Sequence, residues 1–260
     1  MSATYQLASY PSLKGKRVFI TGGGTGIGAA IVSALAEQGA IVAFVDIAKD
    51  ASEALCKQIA DAGFTAPSFR YCDLRDVASL QNTIKELAAQ LGDFDVLVNN
   101  AANDERHKLE DVTQEYWDNR IAINQRPSFF AVQAVAPGMI KKKGGSIINF
   151  SSISWHTSSG GFPVYTTAKS SVLGLTRGLA RDLGADGIRV NCIIPGSVRT
   201  PRQMALWHTP EGEQDILNAQ CLHERVEPED VAAMALFLAS DNAGRCSGRD
   251  YFVDAGWYGA

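Results

Sequence analysis

From residue 17 onward, short apolar runs alternate with segments of helical periodicity, and no other feature of the sequence restricts its fold as much. The strand-like runs are 17–21, 41–45, 68–72, 94–98, 146–150, 188–194 and 251–253. Helical spacing predicts helices over 27–39, 52–62, 77–91, about 113–139, about 165–183 and 228–239. Each strand, helix and next strand makes a βαβ unit, in which the crossover keeps the strands parallel and lays helices over the sheet. The expected fold is therefore α/β: a doubly wound parallel sheet with helices on both faces, whose ligands bind at the carboxyl ends of the strands. The 260 residues, 46% hydrophobic, supply a sizeable core, and no repeat or linker divides them, so one domain over 1–260 is expected. Residues 201–227 read as irregular, and a loop of that length commonly serves as a lid, so a substrate loop is expected over about 195–227.

The first strand runs into TGGGTGIG, a Gly-rich turn that opens a helix. Glycines permit positive φ and close backbone approach, so the helix N-terminus can offer its free N–H groups and positive dipole end to a pyrophosphate. The spacing, Gly22, Gly26 and Gly28, departs from the common G-x-G-x-x-G pattern. Asp46 ends the second strand roughly twenty residues on, where a carboxylate can bind both hydroxyls of an adenosine ribose. With no Arg or Lys in the turn to offset that charge, NAD is expected over NADP.

A second constellation lies in SISWHTSSGGFPVYTTAK, residues 152–169. Tyr165 and Lys169, four apart on one helix, share a face. A phenol is a poor base near neutrality, and a nearby fixed cation favours the phenolate. Ser152, at the end of a strand, can donate to the same substrate oxygen. After the fourth strand comes NNAA and an unusually polar run, Asn103 to His107, where substrate loops begin in such a sheet.

Other functions are disfavoured. The net charge is -4, with no basic run beyond Lys141 to Lys143, so a nucleic-acid partner is not expected. The N-terminus lacks an apolar signal region and no segment is apolar over membrane length, so no membrane partner is expected either. Cys56, Cys72, Cys192, Cys221 and Cys246 are scattered without CxxC spacing, which argues against disulfides and zinc and for a reducing, cytoplasmic setting; no metal is expected.

These motifs, in order TGGGTGIG, Asp46, CDL, NNAA, Asn124, Ser152, YTTAK and PGSVRT, resemble the short-chain dehydrogenase/reductase family over nearly the whole chain. The resemblance implies a Rossmann fold, with Tyr165 as acid/base and Lys169 binding the nicotinamide ribose and lowering the tyrosine pKa. It implies Ser152 as substrate-oxygen anchor and Asn124 as holder of a water joining the lysine to solvent. Cofactor contacts would fall to Gly22, Gly26, Ile27, Gly28, Asp46, Asp73, Leu74, Asn99, Ala101, Tyr165, Lys169, Pro195, Gly196, Val198 and Thr200. The family usually has NNAG, so Ala102 is expected to shift the backbone slightly.

Within the family, YPSLKGKRV, DVLVNNAANDERHKLEDVT, INFSSISWH, AVAPGM and FVDAGW resemble bacterial sugar 1-dehydrogenases acting on D-xylose and related aldoses. That implies an NAD-dependent oxidation of an aldose, of the D-xylose or L-arabinose type, to its lactone. Asn103, Ser152, Trp155, His156, Tyr165 and Gln203 are the substrate-binding candidates, with Asp104, Arg106 and His107 on the same loops. Another sugar such as L-fucose or D-galactose, or another secondary alcohol, ketone or 3-oxoacyl group, stays open as substrate. A homotetramer is implied by the family alone.

Overall fold

The computed structural model describes residues 7–259; residues 1–6, the start of the polar N-terminal stretch, and residue 260 lie outside the described residues. Seven strands, β1 (Arg17–Thr21), β2 (Ile41–Asp46), β3 (Ser68–Tyr71), β4 (Val96–Asn99), β5 (Gly145–Phe150), β6 (Ile188–Pro195) and β7 (Asp250–Val253), form one sheet. Their order is β3-β2-β1-β4-β5-β6-β7, and every neighbouring pair is parallel. The helices are α1 (Gly26–Glu37), α2 (Lys49–Asp61), α3 (Val77–Leu91), α4 (Gln114–Asn124), α5 (Arg126–Lys142), α6 (Pro163–Leu183), α7 (Pro201–Trp207), α8 (Pro210–Ala219) and α9 (Pro228–Ala239).

Period-two geometry sorts the apolar strand residues into two cores. Val18 and Ile20 of β1 and Val96 and Val98 of β4 join one cluster with Ile31 and Leu35 of α1 and Ala235 and Leu236 of α9. Phe19 and Leu97, the residues between them, point the other way, onto Leu80 and Ile84 of α3 and Val135 and Met139 of α5. Each large apolar side chain so enclosed contributes roughly 1.5–3 kcal/mol, and the doubly wound arrangement follows from strands that are apolar on both sides. Among the described residues, no helix is long and apolar enough to cross a membrane.

Two expectations are corrected. The single helix over 113–139 is two, α4 and α5, separated at Gln125 with φ -133 and ψ -56. Pro127, in the first turn of α5, is the cause: it lacks an N–H and its ring clashes with the carbonyl four residues back. Asn124 is therefore the last residue of a helix rather than its middle. Residues 201–219 are not irregular either, although 220–227 form no helix or strand. Thr200 and Thr209 each cap a short helix, accepting from Gln203 N and Gly212 N, with Pro201 and Pro210 in the first turns.

The sheet order reverses between β1 and β4, where Thr21 lies opposite Asn99. Both connections leave that point in opposite directions and a crevice opens above the strand ends.

Candidate active site

The crevice is a cavity of about 830 Å³, bounded by the ends of β1, β2, β4, β5 and β6 and by α7. At one end the Gly-rich turn is packed against the following loops. Gly22 (φ +68) faces Ala101 so closely that a Cβ would come within 2.8 Å of the Ala101 Cα, and a Cβ on Gly28 would lie 1.8 Å from the Gly22 carbonyl oxygen. Asn100 holds the turn from the other side, its Nδ2 donating to Gly22 O at 2.8 Å and Thr21 O at 3.2 Å. No side chain caps the start of α1, so its first-turn N–H groups remain available to an anion.

Asp46 stands at the end of β2, accepting from Gly24 N (Oδ2, 2.8 Å) and Ala48 N (Oδ1, 2.8 Å). These bonds orient the carboxylate at the rim of the cavity and leave further acceptor positions free. Asp73 and Leu74 line the same wall. Arg75 grips Asp73 with a fork of hydrogen bonds, Nε at 2.9 Å and Nη2 at 2.5 Å to Oδ2, and this holds the carboxyl below its ordinary pKa. Pro195, Gly196, Val198 and Thr200 close the opposite side.

At the other end, Ser152 follows β5 and α6 carries Tyr165 and Lys169, all three on the cavity wall. Lys169 is buried, its Nζ donating to Phe150 O at 2.9 Å and lying 5.9 Å from the centre of the Tyr165 ring. Burial lowers its pKa to about 8. The phenol of Tyr165 is pushed well above its ordinary value, first by burial and then by the charge of Asp104; a hydrogen bond with Ser152 and the charge of Arg106 pull the other way. The protein's own groups thus do not produce the lowered tyrosine that the Lys169 pairing led us to expect, because desolvation outweighs the attractions.

Asn124 is buried and pinned: its Oδ1 accepts from Asn103 N at 2.7 Å, and its Nδ2 donates to Asn103 O at 3.0 Å and Arg120 O at 3.1 Å. Both amide protons are used, so the side chain fixes the loop after β4. Asn99 is likewise turned away from the cavity, donating to Asn149 Oδ1 at 2.9 Å and Ser128 O at 3.2 Å inside the sheet. Its neighbour Asn100 takes the position facing the cavity. Ala102 has no positive φ, so its site makes no demand for glycine.

Of the substrate candidates, Asn103, Ser152, Tyr165 and Gln203 line the cavity, with Asp104 and Arg106; Trp155, His156 and His107 do not. A tight turn at Ile153–Trp155 swings the indole into the core formed by Val172, Cys192 and Ile194. There Trp155 Nε1 donates to Ser151 Oγ at 3.2 Å, which in turn donates to Lys169 O at 2.7 Å, so the indole buttresses the catalytic helix from behind. His156 stacks among Trp155, Phe252 and Tyr258 at ring distances of 3.6, 4.9 and 4.3 Å, and burial lowers its pKa. His107 bonds Tyr116 Oη at 2.9 Å instead. Sequence reasoning missed Trp257, which lines the cavity beyond the C-terminal end of β7, as well as Phe162 and Arg202. Trp257 and Arg202 were open to discovery by the rule that sites gather after strand ends, Arg202 within the substrate loop expected over about 195–227; Phe162 was not.

The residues fit a dinucleotide: a glycine cradle that a Cβ would fill, an uncapped helix start and an oriented carboxylate at the ribose position. A doubly wound sheet bearing that cradle next to a Ser, Tyr and Lys cluster defines an oxidoreductase of the nucleotide-binding α/β class. A family model described as "Enoyl-(Acyl carrier protein) reductase" matches residues 22–258. The chain belongs to the short-chain dehydrogenase/reductase family. It is 55% identical to a D-xylose 1-dehydrogenase of Caulobacter vibrioides, over 96% of this chain and 98% of the relative. It is 46% identical to a Rhizobium meliloti protein named "Probable galactose dehydrogenase GalD", over 97% and 99%. Among solved structures it resembles a blue fluorescent protein from a metagenomic library in complex with NADPH, with a TM-score of 0.87, 37% identity and coverage of 95% and 99%.

Proposed function

We propose that this chain is an NAD-dependent aldose 1-dehydrogenase that oxidises the anomeric hydroxyl of a pentose such as D-xylose or L-arabinose to the aldonolactone. The observation that carries the reading is the 55% identity, over nearly the full length of both chains, to a D-xylose 1-dehydrogenase. The cavity agrees with it. Asn103, Asp104, Arg106 and Gln203 ring the space beside Tyr165, and Trp257 and Phe162 add apolar surface; a pyranose has hydroxyls around its rim and a CH face that suit such a lining.

In this reading Ser152 holds the C1 oxygen by a hydrogen bond, and Tyr165 as phenolate takes the C1 hydroxyl proton while the C1–H bond breaks with its electron pair. When bound, the nicotinamide supplies the hydride acceptor. Lys169 as ammonium stabilises the phenolate, and the carbon–oxygen double bond of the lactone forms as the proton leaves. Asp46 favours a ribose with both hydroxyls free. Free thiols at Cys56, Cys72, Cys192, Cys221 and Cys246 suit a cytoplasmic enzyme, and a homotetramer is the assembly its family implies.

The purified protein, given NAD+ and a panel of pentoses, hexoses, secondary alcohols and 3-oxoacyl thioesters, should form NADH fastest with a free aldose. Acyl or simple alcohol substrates turning over far faster than every sugar would sink the sugar reading and leave the dehydrogenase standing.

Trp257→Ala should lower kcat/KM for the sugar about tenfold, through KM, which is about 1.4 kcal/mol of lost ring contact. The KM for NAD+ should hardly change. Trp155→Phe, which keeps an aromatic ring in its core, should leave sugar KM near the wild-type value. Steady-state kinetics with both substrates varied decides between the two tryptophans.

A further inference from the structure

Asp104 has a setting that the hydride-transfer scheme does not explain. Its carboxylate is only 17% exposed, inside a cavity whose central task is to remove a proton. Its charge pushes the Tyr165 phenol up, which works against the base. A group that opposes the chemistry and is nevertheless held in place needs another role.

Its hold is firm from two sides. Backward, Asn124 clamps the adjacent Asn103 peptide through both its N–H and its carbonyl, at 2.7 and 3.0 Å. Forward, residues of α7 reach it: Gln203 Nε2 donates to Oδ2 at 2.5 Å, Arg202 Nε lies 3.4 Å from Oδ1, and Arg202 Nη2 lies 3.3 Å from Asn103 Oδ1. A carboxylate has about four acceptor positions, and these contacts use two. The remainder belong to the cavity, which Asp104 lines together with Tyr165 and Ser152. An ionised carboxylate there accepts and cannot donate. It rewards hydroxyl groups and repels the lone pairs of a thioester or keto oxygen.

We propose that Asp104 is the specificity-determining residue of the reaction: its carboxylate, fixed by Gln203 and Arg202, accepts a hydrogen bond from a ring hydroxyl next to the reacting carbon and so selects polyhydroxylated substrates over acyl ones. The inference rests on the aldose reading above and names the residue that enforces it.

The test pairs a deletion in the protein with a deletion in the substrate. Values of kcat/KM are measured for D-xylose and its 2-deoxy and 3-deoxy analogues with wild type, Asp104→Ala, Asp104→Asn and Gln203→Ala. In the wild type, loss of the partnered hydroxyl should cost about ten- to a hundredfold. Asp104→Ala should suffer a similar loss on D-xylose and no further loss on that deoxy sugar, so the two deletions are not additive. Asp104→Asn, which keeps an acceptor oxygen, should fall between, and Gln203→Ala, which frees one side of the carboxylate, should weaken the discrimination between sugar and deoxy sugar without abolishing it. Thermal melting and the KM for NAD+ establish that each variant is folded. If Asp104→Ala penalises every deoxy sugar by the same factor as wild type, Asp104 only fastens α7 and the proposal is wrong while the aldose reading survives. If the wild type oxidises no aldose, both fall.

Discussion

Replacing Tyr165 by Phe should reduce turnover by at least ~10²-fold, the usual worth of a general base, while leaving NADH binding near the wild-type level. The substitution keeps the ring that packs 5.4 Å from Phe162 and removes only the oxygen that Ser152 bonds, so folding and cofactor site are spared. Single-turnover kinetics and an NADH fluorescence titration separate the two effects. Retention of more than about a tenth of wild-type turnover would show that another group removes the proton. The same oxygen sets the pH dependence. Burial and Asp104 raise the phenol, and the reactive form is the deprotonated one, so the oxidation rate of the unmodified enzyme should still be climbing on the alkaline side of neutrality. The opposing influence is Lys169, held at about 8 by burial: as pH rises through that value its ammonium is lost, and with it the charge that steadies the phenolate.

The second large effect concerns the nucleotide. NAD+ should exceed NADP+ in kcat/KM by about two decades, because a phosphate placed on the ribose meets the Asp46 carboxylate. Two unit charges 4 Å apart at an effective dielectric constant of about 20 interact by about 4 kcal/mol, of which solvent and counterions relieve part. The neighbouring cations are engaged: Arg75 is forked onto Asp73, and Lys49 lies 3.9 Å from Glu53. Asp46→Asn keeps an acceptor for Gly24 or Ala48 and removes the charge, so it should narrow the preference to about tenfold or less. Equal efficiency with both nucleotides in the unmodified enzyme would refute the role given to Asp46.

Much of this was legible before any coordinates. The strand limits at Arg17–Thr21 and the helix limits at Val77–Leu91 and Pro228–Ala239 agree with the apolar spacing, since period and burial coincide where a strand has core on both faces. The Gly-rich turn, Asp46, Ser152, Tyr165 and Lys169 share one cavity because each follows or flanks a strand end, which is a topological rule. What escaped was local. Pro127 was in plain view inside a run that read as one helix, and the Thr-Pro pairs at 200–201 and 209–210 announced helices that length alone concealed. Trp155 and His156 were placed on the wrong side because a single turn at Ile153–Trp155 decides which way they face, and no periodicity reports that. The upward shift of Tyr165 depends on how much water the fold excludes, which spacing does not encode.

The short helices α7 and α8 bury none of their residues fully, whereas Asn124, which sets the opposite side of the sugar rim, is almost completely enclosed. The rim therefore has a stationary jaw, cast into the core, and a second jaw bolted on from outside. Mutations in the outer jaw escape the cost of disturbing packed side chains. Changes at Arg202 and Gln203, the α7 side chains that line the cavity and hold Asp104, should therefore retune how that carboxylate meets a sugar at little cost in stability.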